Sequence, residues 1–245
     1  MTTQNRTREQ SPRPGWPVPV ALAALSAIPL IIGALRLLQL AGGPELIPAE
    51  ERFAGFPLPV ALHILGAATY VLLGTLQFVP RFRRRHRTWH RRAGRILIVA
   101  GLLVAASALW MTLLYAAKPG TGDLLYVLRL VFGCALAACL ILGFTAIRRR
   151  DIPAHRAWMI RAYAIALAAG TQAFTQGIGG ALLGVGEPYG DLAQGAGWVI
   201  NLAVAEWVIR RPARPGRRSR HRHTTRRTGP RATAAGALSL RPAAS

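Results

Sequence analysis

Six long apolar runs, separated by blocks of arginine, constrain this chain more than any other feature of its sequence. A helix needs about 20 mainly apolar residues to cross the hydrocarbon core of a bilayer. The runs extend from about Val18 to Leu40, Pro57 to Val79, Ile96 to Ala117, Leu124 to Ile147, Ala157 to Leu183 and Leu192 to Ile209. Charged residues are only 16% of the chain and sit in blocks between the runs, not mixed through them. That segregation places the chain among membrane proteins.

Backbone groups in lipid must bond within their own segment or inside a closed barrel, and none of the runs alternates as barrel strands do. The expected fold is therefore all-α, a polytopic membrane helix bundle of six transmembrane helices. Residues 1–17 form a cytoplasmic N-terminal tail, 18–209 the transmembrane domain and 210–245 a basic cytoplasmic tail expected to be disordered. The first run exceeds the roughly 7–15 residues of a signal-peptide core, so it is expected to stay as a helix. The last run is the shortest, and Gln194, Asn201 and Glu206 interrupt it.

Arginine assigns the faces. Pro80–Arg95 carries Arg81, Arg83, Arg84, Arg85, Arg87, Arg91, Arg92 and Arg95, and the next turn carries Arg148, Arg149, Arg150 and Arg156. Six spans put both segments and both chain ends on one side. The opposite loops hold Glu45, Glu50, Glu51, Asp123, Glu187 and Asp191 against Arg52 and Lys118. The positive-inside rule makes the arginine face cytoplasmic, in the cell membrane, with both ends inside. Removing any one span would put basic segments on both faces. The net charge of +22 then needs no nucleic acid: the basic tail has no aromatic residue to stack on bases. The expected partner of loops and tail is anionic lipid, at about 1 kcal/mol per basic residue near the surface.

Polar side chains inside a membrane are costly and point to function by default. At about 1.5 Å rise per residue, His63 lies about 9 Å and Arg129 about 8 Å below the outer edge. With Arg36, Gln172, Gln176 and Asn201 they are expected to form one outward-facing polar pocket, or else to snorkel and bond between helices. An inner layer comprises Gln77, His90, Arg91, His155, Arg156, Arg161 and Glu206. Glu206 is the only acidic residue expected inside a span, which predicts an ion pair with Arg161 or Arg156, because a lone buried charge is far worse than a pair. Cys134 and Cys139 point roughly 140° apart at about 100° per residue and are expected as small, buried, reduced packing residues.

A repeat is visible. In Arg83-Arg84-Arg85…His90-Arg91 and in Arg148-Arg149-Arg150…His155-Arg156, an apolar helix ends in an arginine triplet and a His-Arg pair opens the next. This predicts two equivalent hairpins forming a four-helix core, with the first and last spans peripheral.

The ordered set His63-Ile64-Leu65-Gly66, Leu76-Gln77-Phe78, His90-Arg91…Gly94-Arg95, Arg150-Asp151-Ile152…His155-Arg156-Ala157-Trp158-Met159-Ile160-Arg161 and Asn201-Leu202…Ala205-Glu206 resembles domain-of-unknown-function family 2306, over about residues 58–209. The resemblance implies a bacterial, multi-spanning membrane protein and brings no catalytic role with it. It also implies that His63, His90, His155, Arg156, Arg161 and Glu206 matter to what the family does.

Two functional classes follow. Histidines at matched depth on neighbouring helices bind haem iron, so His90 and His155 could hold haem b, with Arg91 and Arg156 neutralising its propionates. Cytochrome b561-like cores place their histidines deeper and in two pairs, which this chain does not. Alternatively, the outer polar layer binds a small solute, as in a transporter or sensor, or only knits helices together; Gly177-Ile178-Gly179-Gly180 is where a helix could unwind, though close packing is its expected role. No nucleophile elbow, HExxH or phosphate-cradling glycine loop is present.

Overall fold

A computed structural model describes residues 17–79, 82, 85–184 and 186–211. The expectations for the N-terminal tail, for Arg81, Arg83 and Arg84, and for the tail beyond Arg211 lie outside the described residues. Among the described residues there are seven α-helices and no strand: α1 Pro17–Leu40, α2 Leu58–Gln77, α3 Arg87–Leu114, α4 Asp123–Arg148, α5 Ile152–Ala166, α6 Ala168–Leu183 and α7 Tyr189–Arg210. Five of them, α1, α2, α3, α4 and α7, are long and apolar enough to cross a membrane. Their outward faces are apolar, with Val99 67% and Leu114 64% exposed. Water would not tolerate so much exposed apolar surface, whereas lipid tails do.

Helix boundaries follow the runs closely for α1, α2 and α4. α3 begins nine residues before the apolar run, because the arginine-rich stretch from Arg87 continues the same helix. The weakest run is a full helix of 22 residues, α7. The turn from α4 to α5 is tight. Asp151 N–H bonds to Ala146 O at 2.9 Å and Arg150 N–H to Ile147 O at 3.1 Å, with Arg150 in the left-handed region at φ 63°. This is the helix ending usually given to glycine. Asp151 then caps α5, its Oδ1 accepting from Ala154 N–H at 3.0 Å.

The fifth expected span is not one helix. It starts early, at the Asp151 cap, and breaks at Leu167 into α5 and α6. Two contacts account for the position of the break. Asn201 of α7 donates its amide to the Ala164 carbonyl at 3.1 Å, taking an acceptor of the last α5 turn. Gly170 lies so close to α1 that a Cβ there would stand 2.2 Å from the Leu25 carbonyl oxygen. Gly177-Ile178-Gly179-Gly180 is continuous helix, as the packing reading expects, and a Cβ on Gly179 would stand 3.1 Å from Ala193 Cβ.

α2 packs on α3, α3 on α4, α4 on α5, and α5 back on α2. Their shared core holds Tyr70, Leu97, Val104, Leu136, Leu140 and Tyr163. α7 lies against α4, α5 and α6, while α1 lies against α2 and α6. Cys139 is buried in the core, but Cys134 is exposed, as two residues on opposite sides of one helix must be when only one side faces protein.

A test of the break compares two glycines. Gly170→Ala should lower the thermal unfolding midpoint in detergent, since overpacking costs about 1–3 kcal/mol and here the obstacle is backbone. Gly177→Ala, with nothing within 4 Å of the new methyl, should leave the midpoint unchanged or raise it slightly.

Candidate functional site

The expected outer pocket is divided in the structure. His63 Nδ1 donates towards Val104 O at 3.2 Å and Ser107 Oγ at 3.1 Å, tying α2 to α3. Arg36 donates to Gln39 Oε1 at 2.6 Å and to the Pro48 carbonyl at 3.0 Å. Gln172 donates to the Gln194 carbonyl at 3.0 Å. Asn201 accepts from Thr171 Oγ1 at 2.8 Å while holding Ala164 O at the helix break. Gln176 is exposed. Arg129 is half-buried on α4 and makes no hydrogen bond or ion pair among the described residues. These six side chains do not share partners: His63, Arg36, Gln172 and Asn201 each bond a different backbone carbonyl. An unpaired amide or hydroxyl in hydrocarbon is expensive.

The inner layer is organised as a repeat. His90 Nδ1 bonds to Gln77 Oε1, from the start of α3 back to the end of α2. His155 Nδ1 bonds to the Gly143 carbonyl at 2.8 Å, from the start of α5 back to the end of α4. Each histidine thus clamps its own hairpin. The structure assigns the two rings to separate partners, and Arg91 and Arg156 beside them are exposed. Among the described residues no hydrogen-bond partner reaches the buried Gln77 Nε2.

Arg161 and Glu206 form the expected pair. Arg161 Nε donates to Glu206 Oε1 at 2.5 Å and its terminal nitrogen to Oε2 at 3.2 Å, a bidentate arrangement. The Arg161 guanidinium also covers the Trp158 ring at 4.8 Å. Arg210, one turn along α7, reaches Glu206 at 3.3 Å. The alternative partner, Arg156, is not used.

Residues 60–209 match the family of predicted membrane proteins designated domain of unknown function 2306. The chain belongs to that family. No curated protein and no solved structure matches the chain. The region shared with family 2306 begins in α2 and ends in α7, so it contains the closed four-helix core, the broken pair and the Arg161–Glu206 clamp, and leaves out α1. The last helix thus belongs to the family 2306 region while packing outside the four-helix core.

Sequence reasoning missed two groups. Asp191 was assigned to a loop, but it lies in the first turn of α7 and is 2% exposed. Its carboxylate accepts from Gly122 N–H at 3.1 Å and Leu125 N–H at 3.0 Å, capping α4 from another helix. The available signal was the absence of Ser, Thr, Asp or Asn at the α4 N-cap, where Gly122 stands. Such an end must borrow an acceptor from elsewhere. The second group is Tyr163, whose hydroxyl meets Thr75 Oγ1 at 2.9 Å and Val71 O at 3.1 Å across the core.

The Arg161–Glu206 clamp makes a direct prediction. Glu206→Arg should lower the amount of protein accumulating in membranes, and adding Arg161→Glu should restore much of it. Equal loss in the single and the double variant would show that the contact does not hold α7 to α5.

Proposed function

We propose that the chain is a six-crossing protein of the cytoplasmic membrane, with both ends in the cytoplasm and its working end at the arginine-rich face. Five helices have the length and hydropathy for a crossing. The broken pair α5–α6, running from Ile152 to Leu183, supplies the sixth. The observation that carries the reading is the sorting of charge between the two ends. Arg85, Arg87, Arg91, Arg92, Arg95, Arg148, Arg149, Arg150 and Arg156 belong to the turns at one end, and Glu45, Glu50, Glu51 and Glu187 to the loops at the other.

Arg87, Arg91 and Arg95 recur every four residues on the exposed side of α3. A helix of 28 residues is about 42 Å long at about 1.5 Å per residue, so the first turns of α3 stand at headgroup level. They favour anionic lipid as the partner there. The basic tail fits the same partner better than nucleic acid.

A reporter fused after Arg210 should fluoresce as green fluorescent protein and be inactive as alkaline phosphatase. Insertion at Gly120 should give the reverse pattern. The opposite result at either position would sink the orientation.

One observation favours a second reading, b-type haem binding with one-electron chemistry. In both hairpins the histidine is held through Nδ1 by an acceptor on the preceding helix. That bond fixes the orientation of each ring, the second-shell arrangement that metal-bound histidines use. Arg91 and Arg156 follow each histidine in sequence and would meet propionates. A reduced-minus-oxidised visible spectrum of protein expressed with haem supply should then show a Soret band with sharp alpha and beta bands, lost in His90→Ala and in His155→Ala. A flat spectrum from folded protein would end this reading and leave the two histidines as hairpin clamps.

A further inference from the structure

Six helices close a ring. α1 packs on α2, α2 on α3, α3 on α4, α4 on α7, α7 on α6, and α6 back on α1. Among the described residues no two ring helices pack along their length except neighbours. α5 stands inside the ring, against α2, α4, α6 and α7. From Ala157 to Ala166 none of its residues is exposed, as befits a helix surrounded on all sides.

Six rods in a closed ring leave room for a seventh of equal width, about 10 Å for a helix with its side chains. α5 fills that room only as far as Ala166. At Leu167 the chain leaves the centre and joins the wall as α6. The Asn201 amide meets the last turn of α5 at Ala164 O. From there α7 continues outward to Tyr189 with no central helix beside it.

Two polar side chains face this outer space. Arg129 lies seven residues outward from Leu136 on α4, and Gln194 seven outward from Asn201 on α7. Seven residues return to the same helix face within about 20°. Leu136 is in the shared core and Asn201 touches α5, so both faces point to the centre. The two residues are also level. Leu128, next to Arg129, meets Gly195, next to Gln194, where a Cβ would stand 2.9 Å from Leu128 Cδ1. Both side chains are half-buried, and neither makes a hydrogen bond or ion pair among the described residues. Yet among those residues the buried side-chain polar atom without a partner is Gln77 Nε2. The unbonded ends of Arg129 and Gln194 therefore stand in accessible space, not in sealed protein. A guanidinium inside a span without a counter-charge marks a solute pathway by default.

We propose that this outer space is a chamber for a small free solute carrying an oxyanion, a carboxylate or a phosphate. Its oxygens take the planar fork of Arg129, and the Gln194 amide bonds a neighbouring polar atom of the same solute. The wall of six helices separates the chamber from lipid, which selects a free solute over a headgroup. α5 closes the inner end, so the solute enters from the end opposite the arginine-rich turns. The proposal rests on the reading of α5–α6 as one crossing.

The test uses the full chain with Cys134→Ser and Cys139→Ala, in sealed membrane vesicles of each orientation. Gln194→Cys and, as a second reporter, Arg129→Cys are treated with membrane-impermeant thiosulfonates, one ending in a sulfonate and one in a trimethylammonium. Both positions should label, and Val131→Cys, 54% exposed on the opposite side of α4, should not. At Gln194→Cys the sulfonate reagent should gain about tenfold over the cationic one, relative to their ratio on a free thiol, the low end of electrostatic focusing in a cleft. Arg129→Gln should remove that gain, and Arg129→Lys should keep most of it. Acetate or inorganic phosphate, added at constant ionic strength, should slow the sulfonate reagent only when Arg129 is present. Labelling in inside-out vesicles alone would keep the chamber and reverse the orientation proposed above. No labelling at either reporter in protein that unfolds cooperatively, an unchanged ratio in Arg129→Gln, or slowing by neither anion overturns the proposal.

Discussion

Every polar group that a helix leaves open in lipid must be closed by a neighbouring helix, and the architecture depends on where this happens. The N-terminus of α4 lacks its own capping side chain, and Asp191 of α7 supplies the acceptor. The break at Leu167 is matched by Asn201, also from α7, at Ala164 O. Glu206, again on α7, pairs with Arg161 of α5. One helix thus meets three demands at three depths. Its register is set by polar chemistry more than by its apolar face, which is the one interrupted by Gln194, Asn201 and Glu206 in the sequence. In water those interruptions would be ordinary. In lipid they are the contacts that specify docking, because apolar surface gains little by moving from lipid tails to protein.

The four-helix core rests on shape instead. Gly74 of α2 receives the Tyr163 ring so closely that a Cβ would stand 2.4 Å from it, and Gly101 of α3 receives Tyr70 and Leu140. Glycine against aromatic or leucine lets antiparallel helices approach and gain dispersion contacts, the main attraction left when solvent is apolar. Each hairpin is then closed at its arginine-rich end by a histidine bonded back to the preceding helix. Two similar clamps on two similar hairpins give the repeat in sequence a structural meaning. They also place two imidazoles and a line of arginines at the end of the bundle where charge is concentrated.

The two ends differ in how charge is handled. At the arginine-rich end the cations of α3 lie along an exposed helix face, and Glu206 is the acid shared by Arg161 and Arg210. At the other end cations and carboxylates interleave within a cap of loops around Glu50.

Much of this was legible in the chain itself. Run length and composition determined an all-helical membrane protein, because a bilayer permits few backbone solutions. The scarcity of acids in the spans narrowed the partner of Glu206 to Arg161 or Arg156, since a lone charge there would be prohibitive, and the fold chose Arg161. The His-Arg repeat determined the pairing of α2 with α3 and of α4 with α5. Only the tertiary structure decided the rest. The fifth run reads as one helix by hydropathy, but it breaks at Leu167 through contacts with α1 and α7, and hydropathy carries no record of neighbours. The outer polar residues share a depth, yet depth is one coordinate of three, and azimuth sent His63, Asn201 and Gln172 to different partners. Asp191 reads as a loop acid because its role is to cap a helix that begins 68 residues earlier, an obligation that local sequence does not display.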